Sequence, residues 1–502
     1  YAEEVPGCDL KLEKKNAFYL THNPVFHPRK KMRVVFNAAL PYRGRSFNDA
    51  VQDCPDLLET IIGILIRWRE DVVGVAADIK QFFNRVAVPK EQSDFTRYVW
   101  FRDQTMTTIK HLRMLSRFFG DKSAQAGSIA ARDQAVLDAA EAGIVSKEDA
   151  FELLRQFYSD DLLASFRNDL EAIKKCSDLK SALEYGKFVL CKFKSNRMEV
   201  ERQLGSDQED RIVAVATAED KALGITWLLQ SDELIIKYDA EWDGSTMTKR
   251  MILSHLMSIY DPLGIVAPFV LAMKLVMQRL TKNVEPVQWD EQVGEEIAAD
   301  ARKCFDNLRF LQNIRIPRCY VTPNMKKIIS RTLHVFSDGS EYAYGSSGYL
   351  RQEDDSGHVT SRLVMAKGRV HPASSRLSIP RSELAGMTIA AEMSDVIKRE
   401  LKHPVDDTFF YTDSETGLKY INNETRRFQV FVANRCNRIR QLTDVKKWRH
   451  VSGVSNPADI ITRPQQLSEG SSFEDFHVWF CGPEWLLQSP CNWPSSFTAE
   501  SV

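Results

Sequence analysis

Phe157-Tyr158-Ser159-Asp160-Asp161-Leu162-Leu163-Ala164-Ser165-Phe166 sets two adjacent carboxylates between apolar segments, Phe151–Phe157 before them and Leu162–Phe166 after. Acids at such a junction read as the turn of a hairpin, where neighbouring side chains can aim at one point in space. A third acid, Asp78, ends the run Val72-Val73-Gly74-Val75-Ala76-Ala77, and a strand tip there would hold its carboxylate rigidly. Hard divalent cations such as Mg²⁺ bind through oxygen and keep positions free for phosphate, and a pair of them can clamp the attacking and leaving oxygens of a phosphoryl transfer. Three clustered acids would meet that need. Turn formation by Asp160-Asp161 and a helix cap at Asp78 are the ordinary alternative uses of these residues.

The surrounding chain has 502 residues, which at roughly 150 per domain suggests about three domains. Its 43% hydrophobic and 27% charged content excludes a collagen, a disordered tail and a mini-protein. The net charge of −1 means that a polyanion-binding surface would have to come from local clustering. Two basic clusters exist. Nine Lys/Arg face two acids between Lys11 and Ala50, and eight face Asp444 alone between Thr425 and His450. Nine cysteines without a CxxC pair fit neither a disulfide framework nor a zinc knuckle, so the chain reads as intracellular. The longest apolar run, Pro262–Met273, is too short to span a bilayer, so no membrane step is expected. A start at Tyr1 suggests a fragment or a piece cut from a longer precursor.

Pattern shifts divide the chain. The first 230 residues mix short apolar runs with helical stretches such as Ala130–Ala142, and read as an α+β layer. From Met247 to Leu280 apolar residues fall at helical spacing, broken at Asp261-Pro262-Leu263-Gly264, and Met251, Leu253, Leu256 and Met257 are expected in a core. Thr281–Thr332, with an acidic patch from Glu285 to Asp300, reads as a connector. Next come strands at Leu333–Phe336, Gly345–Leu350 and Arg362–Ala366, a helix at Pro380–Leu401, a strand at Thr408–Tyr411, and helices around a strand at Lys447–Val451. That order predicts an independent α/β domain closed near Arg463. The tail, with three Trp and three Pro after Phe476, is not a domain by itself.

The same domain holds a second set of acids: Asp338 from its first strand, Glu383 from its long helix, Asp413 at the end of its fourth strand, and Asp459 at the start of its last helix. Four acids from four elements can meet only in a folded site, where their repulsion calls for cations. His450, nine residues before Asp459, reads from its position as a strand end, and only the resemblance of these four acids to a ribonuclease H implies the second reading, a mobile side chain near the last acid that helps product leave. In the segment Arg426–Arg449, Phe428, Phe431 and Trp448 suit either stacking beside phosphates or an amphipathic helix packed on the sheet.

Taken in order, Lys31-Met32-Arg33-Val34-Val35-Phe36, Ala77-Asp78-Ile79-Lys80-Gln81-Phe82-Phe83, Phe119-Gly120 with Ser123-Ala124, and Phe157–Asp161 resemble a reverse transcriptase. Gly186–Leu190 with Ser195-Asn196, Ala222–Trp227, Thr248-Lys249-Arg250 and Asp261–Pro268 are similar to the Pao/Bel class of long-terminal-repeat retrotransposons. The resemblance runs from about Phe18 to Leu486.

It implies an α+β multidomain fold, a right-hand polymerase followed by a connector and an α/β ribonuclease H-like domain. Residues 1–205 would be fingers and palm, 206–284 thumb, 285–332 connector, 333–465 the ribonuclease H-like domain and 466–502 a tail. Asp78, Asp160 and Asp161 match the family's metal-binding polymerase triad, and Asp338, Glu383, Asp413 and Asp459 match the Asp-Glu-Asp-Asp metal set of ribonucleases H. Phe83 matches the ring under the incoming sugar, and Arg33, with Lys31 beside it, matches a basic residue that meets the triphosphate. Two Mg²⁺ ions, or Mn²⁺, would serve each site. The implied activity copies RNA, then DNA, into DNA and degrades the RNA strand of the hybrid. Its partners would be template, primer, hybrid and dNTPs, with a homodimer or other polyprotein-derived subunits as further partners. The implied location is cytoplasmic, within virus-like particles, with nuclear access. Cys481-Gly482-Pro483-Glu484-Trp485-Leu486 resembles the stretch leading toward the family's integrase. Three positions depart from the pattern: Ser159 in place of a small apolar residue, Asn37 in place of Asp, and Gln125 in place of Pro. Two alternatives stay open, a domesticated nucleic-acid-binding scaffold that kept the polymerase fold, and nuclease activity alone.

Overall fold

The computed structural model describes residues 1–7, 10, 17–27, 30–102, 105–205, 219–222, 225–238, 240, 242, 244–282, 287–374 and 377–497. Its first layer opens with β1 (Ala2–Glu4), β2 (Thr21–His27) and β3 (Lys30–Asn37), of which β2 and β3 form a two-stranded antiparallel sheet. Helix α1 (Ile61–Trp68) starts at Thr60, whose hydroxyl accepts from Gly63 N at 3.1 Å. It is apolar almost all round, and Ile64, Leu65, Ile66 and Trp68 are fully enclosed, as such a helix requires.

The expected strand before Asp78 is β4 (Val73–Ile79). Its period-2 pattern buries Val73, Val75, Ala77 and Ile79 and leaves Asp78 on the other face. After β5 (Arg97–Phe101) and β6 (Ile109–Met114), which join β1 in a three-stranded sheet, come α2 (Ala124–Glu141) and α3 (Lys147–Leu154). The acidic pair follows at β7 (Phe157–Tyr158) and β8 (Asp161–Phe166). The apolar residues from Phe151 are thus mostly helix: α3 runs to Leu154, and only two residues form the upstream arm of the hairpin. With α4 (Asp169–Tyr185) and β9 (Leu190–Ser195) a four-stranded sheet is complete, in the order β7-β8-β4-β9 and antiparallel between neighbours. Val136, Ala139, Leu179 and Leu183 from α2 and α4 share one core with the buried face of β4.

Beyond α5 (Met198–Leu204), β10 (Glu219–Ala222), β11 (Ile225–Leu228) and β12 (Glu233–Ile235) lead to α6 (Lys249–Met257) and α7 (Ala267–Lys282), the expected stop and restart. Met257 departs from expectation: it is 66% exposed at the end of α6, and Ile252 is the residue fully enclosed. The stretch expected to be a connector holds a full helix, α8 (Glu295–Leu308). Ala298, Ala301, Phe305 and Leu308 repeat every three or four residues and are buried, while Glu295 and Glu296 face the helix dipole in the first turn. β13 (Ile316–Pro317) then pairs with β12.

The last unit is a five-stranded sheet in the order β16-β15-β14-β17-β18, built from β14 (Ile328–Gly339), β15 (Ala343–Asp354), β16 (Val359–Val370), β17 (Asp407–Thr412) and β18 (Trp448–His450). β17 is parallel to both β14 and β18, and the other pairs are antiparallel. Helix α9 (Ile379–Glu400) lies between β16 and β17 in the chain; α10 (Glu415–Asn422), α11 (Val430–Leu442) and α12 (Ala458–Thr462) follow β17. The basic segment after Thr425 is largely α11, with Phe431 partly buried and Trp448 stacked on Phe410 at 4.8 Å. The tail covers the sheet: Tyr349 Oη donates to Trp479 O at 2.9 Å, and Arg351 Nε donates to Leu486 O at 2.8 Å.

This unit shares one hydrophobic core with α1, α6 and α7 rather than standing apart. Polar bolts reinforce the seam. Arg67 Nη1 bonds Glu400 Oε2 at 2.6 Å, and the enclosed Glu70 carboxylate accepts from Arg331 Nη1 at 3.1 Å and from His403 N at 3.0 Å. At Asp261-Pro262-Leu263-Gly264 the Asp261 carboxylate accepts from Ile265 N at 2.9 Å and Val266 N at 2.8 Å, turning the chain into α7. Leu263 O accepts from Ala366 N of β16 at 2.8 Å, and Trp479 Nε1 donates to Ile265 O at 2.8 Å. Gly264 sits at φ +71°, and a Cβ there would lie 1.9 Å from Ala366 O. Gly264→Ala is therefore expected to destabilise the chain by about 2–3 kcal/mol, from left-handed backbone strain and overpacking together, read from denaturant unfolding. Unchanged stability would mean that the loop and β16 do not touch in solution. No helix among the described residues is long and apolar enough to cross a membrane.

Candidate functional site

The antiparallel register of β4 and β8 sets Asp78 directly opposite Asp161. Like charges in that position repel. Asp160 lies in the two-residue turn before Asp161, and its carbonyl accepts from Ile79 N at 3.0 Å, which draws the turn onto the end of β4. Ser159, the other turn residue, has φ +57°, a left-handed conformation costly for a residue with a Cβ. Arg132 of α2 holds it there by donating from Nη1 to Ser159 O at 2.5 Å while its guanidinium covers the Phe157 ring at 4.6 Å. Burial pushes the Asp161 carboxyl up to about 6, helped by the charges of Asp160 and Asp78; burial and the Asp78 charge raise Asp160 as well. Lys192 of β9 reaches across and bonds Asp78 Oδ2 at 2.7 Å.

The other sequence-predicted residues of this half lie around that sheet. Phe83, half-buried in the short 3-10 turn Phe82–Arg85 after β4, meets the exposed Phe119 edge-to-face at 5.8 Å. Arg33 stands exposed on β3, in a different sheet from the acids. Lys31 is on β3 too, and its side chain lies outside the described residues.

The second set converges more closely. Asp338 is the penultimate residue of β14, Glu383 lies in the first turns of α9, Asp413 follows β17, and Asp459 is in the first turn of α12. Gly386 lets α9 approach β14, since a Cβ there would come 2.5 Å from Asp338 O. All four carboxylates line one open cleft of about 790 Å³. Burial raises the Asp338 carboxyl to about 6, with the charges of Asp413 and Asp459 adding to it. Burial likewise raises Glu383, next to Asp338, and Asp413, next to Glu383 and Asp459. Thr462 donates its hydroxyl to Asp338, Ser414 Oγ donates to Glu383 Oε2 at 2.5 Å, and Arg463 Nε donates to Asp459 Oδ1 at 2.7 Å. His450 ends β18 and is exposed.

Among the described residues no three His, Cys, Asp or Glu side chains close on a single point as an ion would require. Lys192, Thr462, Ser414 and Arg463 hold the Asp78, Asp338, Glu383 and Asp459 carboxylates respectively. The donor chemistry nevertheless fits a hard divalent cation. Both sets are all-oxygen and mutually repelling, and Asp413 Oδ1 is buried without a hydrogen-bond partner. Such an orphan costs on the order of 1–3 kcal/mol, which a cation would offset.

The sequence reading missed Lys192, Arg132, Thr462, Ser414 and Arg463. Only Arg132 carried a signal: it interrupts the stripe Ser128, Ile129, Ala135, Val136 and Ala139 on α2, a charge on an otherwise buried face.

Residues 248–414 match the family model of the Pao retrotransposon-like RNaseH-like domain. The match begins at α6 and takes in Asp338, Glu383 and Asp413, while Asp459 lies beyond it. No curated protein matches the chain. Among solved structures, the foamy viral protease-reverse transcriptase dRH in complex with ds DNA aligns with 90% of this chain and 66% of its own, at TM-score 0.57 and 13% identity. The foamy viral protease-reverse transcriptase in complex with RNA/DNA hybrid aligns with 91% and 53%, at TM-score 0.51 and 14% identity. This chain therefore spans less than two thirds of either, and at such identities the likeness is one of fold. The chain has a mixed α/β, multidomain fold resembling that of retroviral reverse transcriptase structures, and within it residues 248–414 are similar to the Pao retrotransposon-like RNaseH-like domain.

Proposed function

We propose that this chain is an RNA- and DNA-directed DNA polymerase joined to a ribonuclease H, copying a primed retrotransposon RNA into DNA and degrading the RNA strand of the resulting hybrid. The observation that carries the reading is the pair of repelling carboxylate groups, one at the end of β4 and β8 and one in the open cleft of the last sheet. In this reading residues 1–205 are fingers and palm, 206–284 thumb, 285–332 connector and 333–465 the nuclease, with 466–502 as a C-terminal tail.

Asp78, Asp160 and Asp161 would hold one set of divalent ions, Mg²⁺ or Mn²⁺, and Asp338, Glu383, Asp413 and Asp459 the other, two ions per site, supplying charge neutralisation at the reacting phosphate oxygens. The chain's own residues do the rest. Arg132 fixes the Ser159-Asp160 turn so that Asp160 and Asp161 face Asp78. Lys192 neutralises Asp78 in the resting protein and must swing aside, which its exposed position on β9 permits. By the resemblance, Phe83 would set its ring against a ribose 2′-OH, favouring deoxynucleotides, and Arg33 would offer a guanidinium fork to the triphosphate. In the nuclease, Thr462 and Ser414 orient Asp338 and Glu383, and in-line attack of water on an RNA phosphodiester leaves a 3′-OH and a 5′-phosphate.

The test offers purified protein a DNA primer on an RNA template with dNTPs and Mg²⁺, and in parallel an end-labelled RNA–DNA hybrid. Primer extension and RNA-strand cleavage are both expected. Absence of both would overturn the reading, and cleavage without extension would favour nuclease activity alone, the alternative for which the family match over 248–414 speaks.

A further inference from the structure

A basic cleft of about 600 Å³ opens at the seam between the first layer and the last sheet. Arg167, Arg197, Lys326, Lys327, Arg331 and His403 line it, against Asp71 as the one acid of the lining. Strand direction separates it from both carboxylate groups. β4 begins just after Asp71 and reaches Asp78 near its far end, and β8 leaves from Asp161 and ends at Phe166, next to Arg167. β14 passes Arg331 near its start and reaches Asp338 near its end. At about 3.3 Å per residue, each carboxylate group lies on the order of 20 Å along its strand from this cleft.

The acid in the lining is already committed. Asp71 bonds Lys402 Nζ at 3.3 Å and His403 Nε2 at 3.2 Å, and these partners hold its carboxyl well below the usual carboxylate range. Arg331 is tied to the enclosed Glu70, which fixes one guanidinium in the floor. Arg167, Lys326 and Lys327 stand exposed at the rim, as does Arg197, whose guanidinium also pairs with Asp169 Oδ1 at 3.7 Å, and this excess of positive charge would draw an anion. Val321, Pro323 and Met325 add an apolar wall, so that phosphate and a sugar or base could be taken together. The volume falls within the range of about 300–1,000 Å³ that small-ligand pockets occupy. A second hollow of about 550 Å³ shares Val72, Arg167 and Arg197 with it and adds Asn168 and Asp169, so the surface continues past the cleft with polar groups of both signs.

We propose that this cleft binds phosphate, in the form of a single nucleic-acid strand or a free nucleotide, as an anion site separate from both carboxylate groups. It does not depend on either catalytic assignment. The full chain is tested with a fluorescein-labelled 12-nucleotide RNA by anisotropy, and with ATP as competitor. A 4-thiouridine version of the same RNA is cross-linked and mapped by peptide mass spectrometry. The variant Arg167→Glu/Lys326→Glu/Lys327→Glu is expected to bind at least ~10-fold more weakly and to show a salt dependence flatter by about two to three in log–log slope. Arg167→Lys/Lys326→Arg/Lys327→Arg should keep the affinity, and equal melting temperatures exclude misfolding as the cause. Cross-links on residues 321–331 or 165–170 support a strand; displacement by ATP at micromolar concentration supports a free nucleotide. Binding of both probes within two-fold of wild type in the charge-reversed variant, or cross-links confined to peptides carrying the two carboxylate groups, would overturn the proposal.

Discussion

Asp161→Asn is expected to lower primer extension on an RNA template by on the order of 10³-fold or more while leaving cleavage of a preformed RNA–DNA hybrid within about two-fold of wild type. The substitution is close to isosteric and sits at the first residue of β8, opposite Asp78, so it removes one charge and one ligating oxygen without disturbing the core face of the strand. Stability should move the other way. Because burial and its neighbours raise the Asp161 carboxyl to about 6, the folded protein binds that proton more tightly than the unfolded chain does. Its contribution to stability is present below the unfolded value near 4 and is lost as pH rises through about 6. At pH 7.5 without divalent metal the Asn variant should therefore melt at or above the wild-type temperature. A variant that loses extension because it unfolds would melt lower, and would contradict the assignment of Asp161 to a repelling site.

Asp413→Asn is the complementary case. Hybrid cleavage should fall by on the order of 10³-fold or more, with primer extension retained. Asp413 carries the buried, unpartnered Oδ1 among Asp338, Glu383 and Asp459, so its loss strikes the centre of the cleft. The wild-type cleavage rate should also depend on pH. With Asp338 raised to about 6, protons compete with cations for its oxygens, so at limiting Mg²⁺ the rate should climb as pH passes through about 6, and more Mg²⁺ should move that midpoint down. Cleavage that survives Asp413→Asn, or that is flat from pH 5 to 8 at limiting Mg²⁺, would contradict a metal role for these acids.

What the sequence revealed, and what it hid, follows from range. β4 and β8 were legible because Val72–Ala77 is an apolar run ending at Asp78 and Leu162–Phe166 is apolar except for Ser165, both local signals. α9 was legible within a residue at each end for the same reason. α8 was hidden inside the supposed connector because its outer face carries Glu295, Glu296, Asp300, Arg302 and Lys303, which mask four buried apolar residues. The strands of the last sheet extend beyond their apolar centres, through Ile328–Thr332 and Arg351–Asp354, because pairing rather than composition holds those ends. Met257 was misplaced since helical spacing sets a face but not how far the neighbouring element covers it.

The candidate sites divide in the same way. All seven acids stand at element ends visible in the sequence. The residues that restrain them come from elsewhere in the chain: Lys192 lies on a strand that reaches Asp78 only through the register of β4 with β9, and Thr462 meets Asp338 only when α12 closes on β14. No local pattern encodes such pairings. The seam between the layers was equally invisible, because Arg67, Glu70, Arg331 and Glu400 read singly as ordinary surface charges and become buried partners only in the folded chain.

The central claim is that two separate carboxylate groups each hold divalent metal, and iron-directed backbone cleavage tests it most directly. Fe²⁺ in place of Mg²⁺, with ascorbate and peroxide, cuts the polypeptide beside bound ions, and the fragments identify the positions by mass. The account predicts cuts close to Asp78 and Ser159–Asp161, and a second set close to Asp338, Asp413 and Asp459, both suppressed by excess Mg²⁺; fragments from neither region, or cuts that excess Mg²⁺ leaves unchanged, would contradict it.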